Sequence, residues 1–285
     1  GTTTVESSVT CNPTDNDNIN HGFRAYLEPY IGDSSFDITQ WGGIPMSKNG
    51  YQLNKFEGIK GTISATDKPT ILPNTGLQLM FHDSQTAQNE DIDNVLSWNI
   101  YNANHLSGFF YNCRNINFNV NNLNTFNVTN FSNAFDRCII FNNGNSSTHI
   151  GGTFTWELSN AEYCNLMFAA CDVFNCKMND YNFRHIYNTS LSGMFGLLTA
   201  GGKFDNGNIS GVSNILNWTT NNVIQMSSIF NNQTGFNCDI SSWNGEKTRS
   251  IGYMFNNCSS FNQDLTNLIS TLTGAGGNIN TDNII

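Results

Sequence analysis

One segment of this chain occurs several times in variant form, and this repetition constrains the fold more than any other feature. Residues 254–265 read Met-Phe-Asn-Asn-Cys-Ser-Ser-Phe-Asn-Gln-Asp-Leu, and residues 229–240 and 167–178 match them at most apolar positions. Four weaker copies precede or separate these three. The first phenylalanine of each copy, here called the anchor, is Phe81, Phe110, Phe135, Phe168, Phe195, Phe230 or Phe255. A unit of about 25 residues with insertions is typical of proteins in which similar units stack along one axis.

A second apolar position, twelve residues before the anchor, supports the same register. Four of the five tryptophans of the chain fall on it. Agreement of this kind at a rare residue type is not expected by chance. The residues concerned are Trp98, Leu123, Trp156, Phe183, Trp218 and Trp243.

Each unit has a readable local pattern. Ile251, Met254 and Phe255 share the i, i+3, i+4 spacing of one helix face, which predicts a short helix of about two turns. The following Phe-Asn-x-Asp-Ile/Leu stretch alternates apolar and polar residues and predicts a strand, with Phe236 and Ile240 pointing inward. We therefore predict an α/β solenoid of about seven units, each a short helix plus a strand.

Three parts of the chain are distinguished by this pattern. Residues 70–270 are predicted to form the repeat solenoid. Residues 1–69 lack the motif and hold four of the five prolines, so we expect them to form an N-terminal cap or attachment segment. Residues 271–285 are expected to form a C-terminal tail or cap.

The composition excludes several classes of protein. Charged residues make up 12% of the chain, the net charge is −10, and no basic run is present. A nucleic-acid partner is therefore not expected, because such partners need clustered cations. Asparagine supplies about one residue in six and favours turns. No apolar stretch approaches the roughly 20 residues of a membrane-spanning helix.

The cysteines follow the repeat. Cys113, Cys138, Cys171 and Cys258 each lie three residues after an anchor. We interpret them as small buried core residues with free thiols, although thiols stacked in neighbouring units could also approach disulfide distance. Paired C-x-x-C spacing is absent from the sequence, so no metal site is predicted.

Several short motifs invite a functional interpretation without a supporting context. Leu72–Gly76 spells a sorting signal, but it lies inside the chain, where a turn is expected. Residues 15–20 are rich in oxygen ligands but lack the glycine and glutamate of a calcium loop. His82 with Asp83, or Glu90 with Asp91 and Asp93, could be combined into a catalytic site, but the sequence offers no accompanying nucleophile or phosphate loop. We predict no catalytic, cofactor-binding or metal-binding residues, and the residues that bind a partner are unknown.

The residues quoted above resemble a known group of repeats. The Trp-x11-Phe spacing and the Met-Phe-x-x-Cys-x-x-Phe-Asn-Gln-Asp-Leu segment are similar to BspA-like surface proteins and the Mycoplasma-type lipoprotein repeat. The resemblance covers about residues 70–268 and is most specific in the last two units. It implies a leucine-rich-repeat-like solenoid with an adhesive role at a cell surface, and related copies occur in large DNA viruses. The insertions before Phe168 and Phe230 depart from the family pattern.

Together these observations predict a non-catalytic protein that mediates adhesion or protein–protein interaction at the cell surface or outside the cell. Its partner would be a protein or a glycan at a surface. The main alternative is a structural component of a virion or surface layer, which would contact neighbouring subunits. A glycan-cleaving β-solenoid enzyme is a third hypothesis, and it requires two carboxyl groups about 5 to 9 Å apart.

Overall fold

Short parallel strand pairs are the regular elements of the fold. A computed structural model describes residues 36–37, 40, 45–46, 61–84, 93–145, 152–178, 180–183, 189–207 and 214–272. All five strand pairs within these ranges are parallel: β1 with β3, β2 with β4, β5 with β6, β7 with β8, and β9 with β10. The strands are β1 (Phe36–Asp37), β2 (Pro45–Met46), β3 (Gly61–Thr62), β4 (Thr70–Ile71), β5 (Thr75–Gly76), β6 (Ala103–His105), β7 (Thr153–Phe154), β8 (Lys177–Met178), β9 (Thr189–Ser190) and β10 (Val223–Gln225).

Parallel bridges connect the seven units in sequence order. The residue five positions before each anchor pairs with its equivalent in the next unit, either within strand pairs β5–β6 and β9–β10 or as an isolated bridge. Consecutive units therefore lie side by side. The paired residues are Gly76, His105, Asn130, Tyr163, Ser190, Gln225 and Ser250.

The short helix predicted for each unit is replaced by consecutive turns. Around Phe110, the N–H groups donate alternately to a carbonyl of the same unit and to a carbonyl of the next unit. Phe109 N donates to Leu106 O at 3.1 Å, whereas Phe110 N donates to Ala134 O in the next unit at 2.8 Å. An α-helix needs every N–H for its own i−4 carbonyl, so this division excludes it. The helix prediction was wrong because the i, i+3, i+4 spacing places the same side chains inward in both structures.

Positive φ angles accompany these turns. The residue two positions before the anchor has φ of +61° at Gly108, +58° at Asn133 and +63° at Gly193. Glycine and asparagine tolerate this conformation best. Small residues also allow close approach, since a Cβ added at Gly193 would lie 2.6 Å from Leu166 Cδ2.

The core is built from two columns of stacked phenylalanine rings. Consecutive anchors lie 5.5 to 5.8 Å apart between ring centroids, with interplanar angles of 4° to 30°. A second column runs beside them at 5.7 to 6.2 Å. All seven anchors are buried, as the repeat predicts. The second column consists of Phe141, Phe174, Phe204, Phe236 and Phe261.

The position twelve residues before the anchor is also buried in every unit where the pattern places it. Trp218 and Trp243 stack at 5.5 Å with an interplanar angle of 10°. The indole N–H groups are satisfied, since Trp156 Nε1 donates to Val120 O at 2.9 Å and Trp243 Nε1 to Leu216 O at 2.7 Å. A hydrogen-bonded indole can be buried without leaving an unpaired donor.

Asparagine side chains form a polar ladder between units. Asn117 Oδ1 accepts the N–H of Asn142 at 2.7 Å, Asn142 Oδ1 accepts that of Asn175 at 3.0 Å, and Asn175 Oδ1 accepts that of Asp205 at 2.8 Å. Asp205 Oδ1 in turn accepts the N–H of Asn237 at 2.9 Å. The predicted alternation of apolar and polar residues would place this asparagine on the outer face, but Asn142 is only 1% exposed. The abundance of asparagine thus reflects bonding between units as well as turns.

The ladder leads to a prediction for Asn142. We expect Asn142→Leu to lower the free energy of unfolding by about 2 kcal/mol, because the N–H of Asn175 would be left without its acceptor. Asn142→Asp is the matched control, since Asp205 accepts an N–H at the equivalent position. Urea denaturation followed by circular dichroism compares the two. Equal losses in both variants would contradict a role for the Asn142 acceptor.

Both ends of the described repeat contact further residues. Before unit 1, the one with anchor Phe81, the side chains of Ile63, Ala65 and Ile71 belong to the same core. After unit 7, the one with anchor Phe255, the helix α1 (Thr266–Thr271) buries Leu268. A 3-10 helix also spans Asp93–Ser97. Most of residues 1–69 and of 271–285 lie outside the described ranges, so their roles as cap and tail stay predictions.

Candidate functional site

The units bury apolar side chains at the same inward positions but differ at a position closer to the surface. The fourth residue before the anchor is fully buried in all seven units. The anchor itself is fully or almost fully buried. The second residue before the anchor differs from unit to unit. Its identities are Leu79, Gly108, Asn133, Leu166, Gly193, Ser228 and Tyr253.

Unit 4, whose anchor is Phe168, carries an apolar ridge formed by Tyr163 and Leu166. Tyr163 is 37% exposed and Leu166 is 41% exposed. Both occupy positions that are small or polar in the two neighbouring units: Asn130 and Ser190 flank Tyr163 along the parallel ladder. The ridge therefore projects from a surface of short side chains.

The backbone beneath this ridge is held on both sides. Tyr163 N donates to Thr129 O at 3.1 Å, and its carbonyl accepts the N–H of Phe131 at 2.7 Å. Leu166 N donates to Ser192 O at 3.0 Å. The leucine has φ of +55°, and its side chain lies against Gly193. The two apolar side chains are thus presented from a fixed backbone.

The rim of the ridge is polar and internally bonded. Ser190 Oγ donates to Asn165 Oδ1, and Asn133 Nδ2 donates to Asp136 Oδ2 at 2.9 Å. Burial raises the pKa of Asp136 above its usual range, opposed by the Asn133 hydrogen bond and by the charge of Arg137. Polar groups of this kind around an apolar centre are typical of protein interfaces.

A second cluster lies on units 1 to 3. His82 stacks on Tyr111 at 4.8 Å between ring centroids, and the Arg137 guanidinium lies 5.6 Å from the Tyr111 ring centroid. His82 Nδ1 is 3.2 Å from Asp83 Oδ2. Arg137 Nε also lies 3.9 Å from Asp136 Oδ1, so its charge is partly compensated.

Comparison with known proteins places the repeat in a family. The family model described as "Mycoplasma protein of unknown function, DUF285" matches residues 75–201 and 204–274, which include all seven anchors. The chain belongs to the DUF285 family. No curated protein and no solved structure matches it.

Membership of DUF285 supports the Mycoplasma-type part of the resemblance seen in the sequence. The family description assigns no function. The narrower likeness to BspA-like adhesins and to viral copies stays a hypothesis.

The structure places only some of the residues that sequence motifs singled out in this DUF285 protein. Residues 73–74 form a turn that leads into β5, as expected for Leu72–Gly76. His82 and Asp83 are adjacent but belong to the stacked cluster described above. Residues 15–20 and 90–91 lie outside the described ranges.

Three carboxyl groups of the described residues have shifted pKa values. Burial raises the pKa of Asp136 and of Asp172, and hydrogen bonds from Thr266 lower that of Asp264. None of these shifts is caused by a second carboxylate. Among the described residues, no group of three or more His, Cys, Asp or Glu side chains could hold a metal ion.

The cysteines have a bonding role that the sequence did not reveal. The seven described cysteines are free thiols and are buried. Cys138 Sγ donates to Phe110 O, the anchor carbonyl of the preceding unit, at 3.0 Å. The anchor carbonyl of the preceding unit also accepts a hydrogen bond from the thiols of Cys113, Cys171 and Cys258. In unit 6 the donor is Gln233 Nε2. The position three residues after the anchor therefore supplies a donor between units.

The exposed ridge was missed at the sequence level. Tyr163 and Leu166 look like ordinary apolar residues until the repeat register shows that the two neighbouring units have short or polar side chains at those positions. The feature that identifies the ridge is the exposure of these two large apolar side chains in the structure. Within the described ranges, no helix is long and apolar enough to cross a membrane.

Proposed function

We propose that this DUF285 protein is a non-catalytic binding scaffold, located at a cell surface or outside the cell, that engages a protein through the exposed side of its repeat. One observation carries the proposal. The seven units bury apolar side chains at the same positions and units 1 to 6 donate the same backbone bonds to the next unit, while side chains at more exposed positions vary from unit to unit. A constant frame with variable exposed residues suits recognition.

The ridge of Tyr163 and Leu166 is the centre of the proposed contact. Aromatic residues are enriched in the buried centres of protein interfaces, and a polar rim completes such a surface. Little ordering is needed on binding, because the inter-unit hydrogen bonds already fix this backbone. A protein with a complementary apolar pocket fits this surface better than a strongly charged ligand.

The proposal predicts that Tyr163→Ala together with Leu166→Ser weakens binding by about a hundredfold, whereas either change alone weakens it by about tenfold. The purified chain is screened against an array of extracellular proteins and glycans, and biolayer interferometry then gives the affinity for a captured ligand. Leu198→Ser is the control, because Leu198 is 80% exposed and lies outside the ridge. A ligand whose affinity falls in the control but not in the double variant would contradict the assigned surface.

A structural role in a virion or surface layer is the second candidate function. Leu198 and Ile215, 80% and 56% exposed, supply apolar surface outside the ridge that neighbouring subunits could cover. Amine labelling of the intact source cell or particle separates the two functions. Labelling of the exposed Lys203 and Lys247 supports adhesion, whereas protection that disappears on disruption supports a place inside an assembly.

A further inference from the structure

A β-turn lies before the parallel bridge of units 2, 3, 4, 6 and 7. In unit 2, Ala103 N donates to Ile100 O at 2.8 Å, and in unit 3, Val128 N donates to Thr125 O at 2.9 Å. The first central residue of this turn, nine positions before the anchor, differs between units. It is Ser159, Asn221 and Glu246 in units 4, 6 and 7, but Tyr101 and Phe126 in units 2 and 3.

These two aromatic side chains, here called the aromatic pair, are exposed. Tyr101 is 46% exposed and Phe126 is 52% exposed, whereas all seven anchors are buried. Asn127 Nδ2 donates to Tyr101 O at 2.7 Å, so the two turns lie side by side. Adjacent parallel segments are about 4.8 Å apart. Two apolar rings that the core leaves in solvent on neighbouring units are available to a ligand.

The backbone that carries the aromatic pair is held in place. Tyr101 N donates to Asn99 Oδ1 at 3.2 Å, and Phe126 N donates to Asn124 Oδ1 at 3.1 Å. Phe126 O accepts a hydrogen bond from Asn160 Nδ2 of unit 4 at 2.9 Å. A ligand that binds the rings therefore does not have to order this part of the chain.

The surroundings of the aromatic pair carry little charge. Residues 94–135 contain a single Lys, Arg, Asp or Glu, which is Arg114, although the chain has a net charge of −10. In unit 4 the residue equivalent to Asn124 is Glu157, and its Oε1 accepts the Ser159 N–H at 2.7 Å within its own turn. The exposed neighbours of the pair are the amides of Asn99, Asn124 and Asn127.

We propose that the aromatic pair binds a neutral polysaccharide. One face of a sugar ring presents C–H groups that pack against an aromatic ring, and its edge carries hydroxyl groups. Asparagine amides both donate and accept hydrogen bonds, so they match hydroxyl groups in either role. Because Tyr101 and Phe126 belong to neighbouring units, they suit a chain of sugars that contacts both rings.

A protein partner matches the aromatic pair less well. Stable protein interfaces bury about 800 Å² on each side, and here two rings are surrounded by small amides on turns. The ridge of Tyr163 and Leu166 occupies different positions of the repeat, five and two residues before the anchor of unit 4. The polysaccharide site is therefore additional to the protein contact proposed for the ridge.

Native gel electrophoresis with a polysaccharide cast into the gel tests this proposal, because a chain with a net charge of −10 migrates unless it is retarded. The neutral probes are dextran, mannan, galactomannan and a soluble β-1,3-glucan, and alginate is the anionic contrast. We expect at least one neutral polysaccharide to retard the chain and alginate not to. Tyr101→Ala and Phe126→Ala should each weaken that binding about fivefold, and the double variant about 25-fold.

Matched variants separate a ring contact from a loss of folding. Tyr101→Phe keeps the ring and should bind within about twofold of the native chain. Tyr253→Ala removes a ring that is 45% exposed in unit 7 and should bind normally, as should the ridge variant Tyr163→Ala with Leu166→Ser. Urea midpoints of the alanine variants should stay close to that of the native chain. Retardation by none of the neutral polysaccharides would overturn the proposal, and so would equal retardation of the native chain and the folded double variant.

Discussion

Raising the pH from about 8 to about 10 should lower the free energy of unfolding by about 9 kcal/mol, enough to unfold an ordinary domain. The cause is the set of seven buried thiols. Burial raises the pKa of Cys176 and Cys258 to about 12, and it raises the pKa of Cys113, Cys138, Cys164, Cys171 and Cys238 as well. Unfolded thiols ionise from about pH 9, so the unfolded chain then binds fewer protons than the native one. Stability therefore falls as the pH rises. The slope reaches about 1.4 kcal/mol per thiol and pH unit only above the pKa of the unfolded thiols, so the loss between pH 8 and pH 10 is about 1.3 kcal/mol per thiol.

Urea denaturation at pH 7, 8, 9 and 10, with a phosphine reductant present, measures this dependence. Cys138→Ser is the matched control, because a serine hydroxyl can donate to Phe110 O as the thiol does and yet does not titrate in this range. The slope of stability against pH should fall by about one seventh in this variant. Identical urea midpoints at pH 8 and pH 10 would show that the native thiols ionise as readily as unfolded ones.

The repeat register made the buried side chains predictable. Trp156, Phe168 and Cys171 are buried where the sequence pattern placed them, because a stacked unit must turn the same positions inward each time. The turns were not predictable in the same way. Whether the N–H of Phe110 bonds to its own unit or to Ala134 depends on the neighbouring unit, which local periodicity does not describe.

The roles of some polar residues could not be predicted from the sequence for the same reason. Asn142 and Cys138 looked like a turn former and a core filler, yet both bond to a neighbouring unit. Their roles depend on the direction of a side chain relative to a carbonyl or N–H about one strand spacing away. The ridge residues Tyr163 and Leu166 could be recognised only in the structure for a related reason. Their exposure depends on the side chains that the adjacent units place around them.

Replacing Phe168 by alanine should cost about 4 kcal/mol, the largest loss expected from one side chain of this protein. The ring stacks on Phe135 at 5.5 Å, on Phe195 at 5.6 Å and on Phe174 at 4.1 Å, so its removal opens a cavity between both columns. Since unit 4 connects units 1–3 to units 5–7, we also expect the urea transition to become less cooperative, with a smaller m-value.

Phe126→Ala is the control for this substitution, because Phe126 is 52% exposed and should cost less than about 0.5 kcal/mol. Phe168→Leu should give an intermediate loss of about 1 to 2 kcal/mol, since leucine fills part of the cavity but does not stack. Urea denaturation monitored by tryptophan fluorescence reports on Trp156, which belongs to unit 4, and on Trp218, which belongs to unit 6. If Phe168→Ala cost no more than Phe126→Ala, the ring columns would not be the main source of stability, and the inter-unit hydrogen bonds would have to provide it instead.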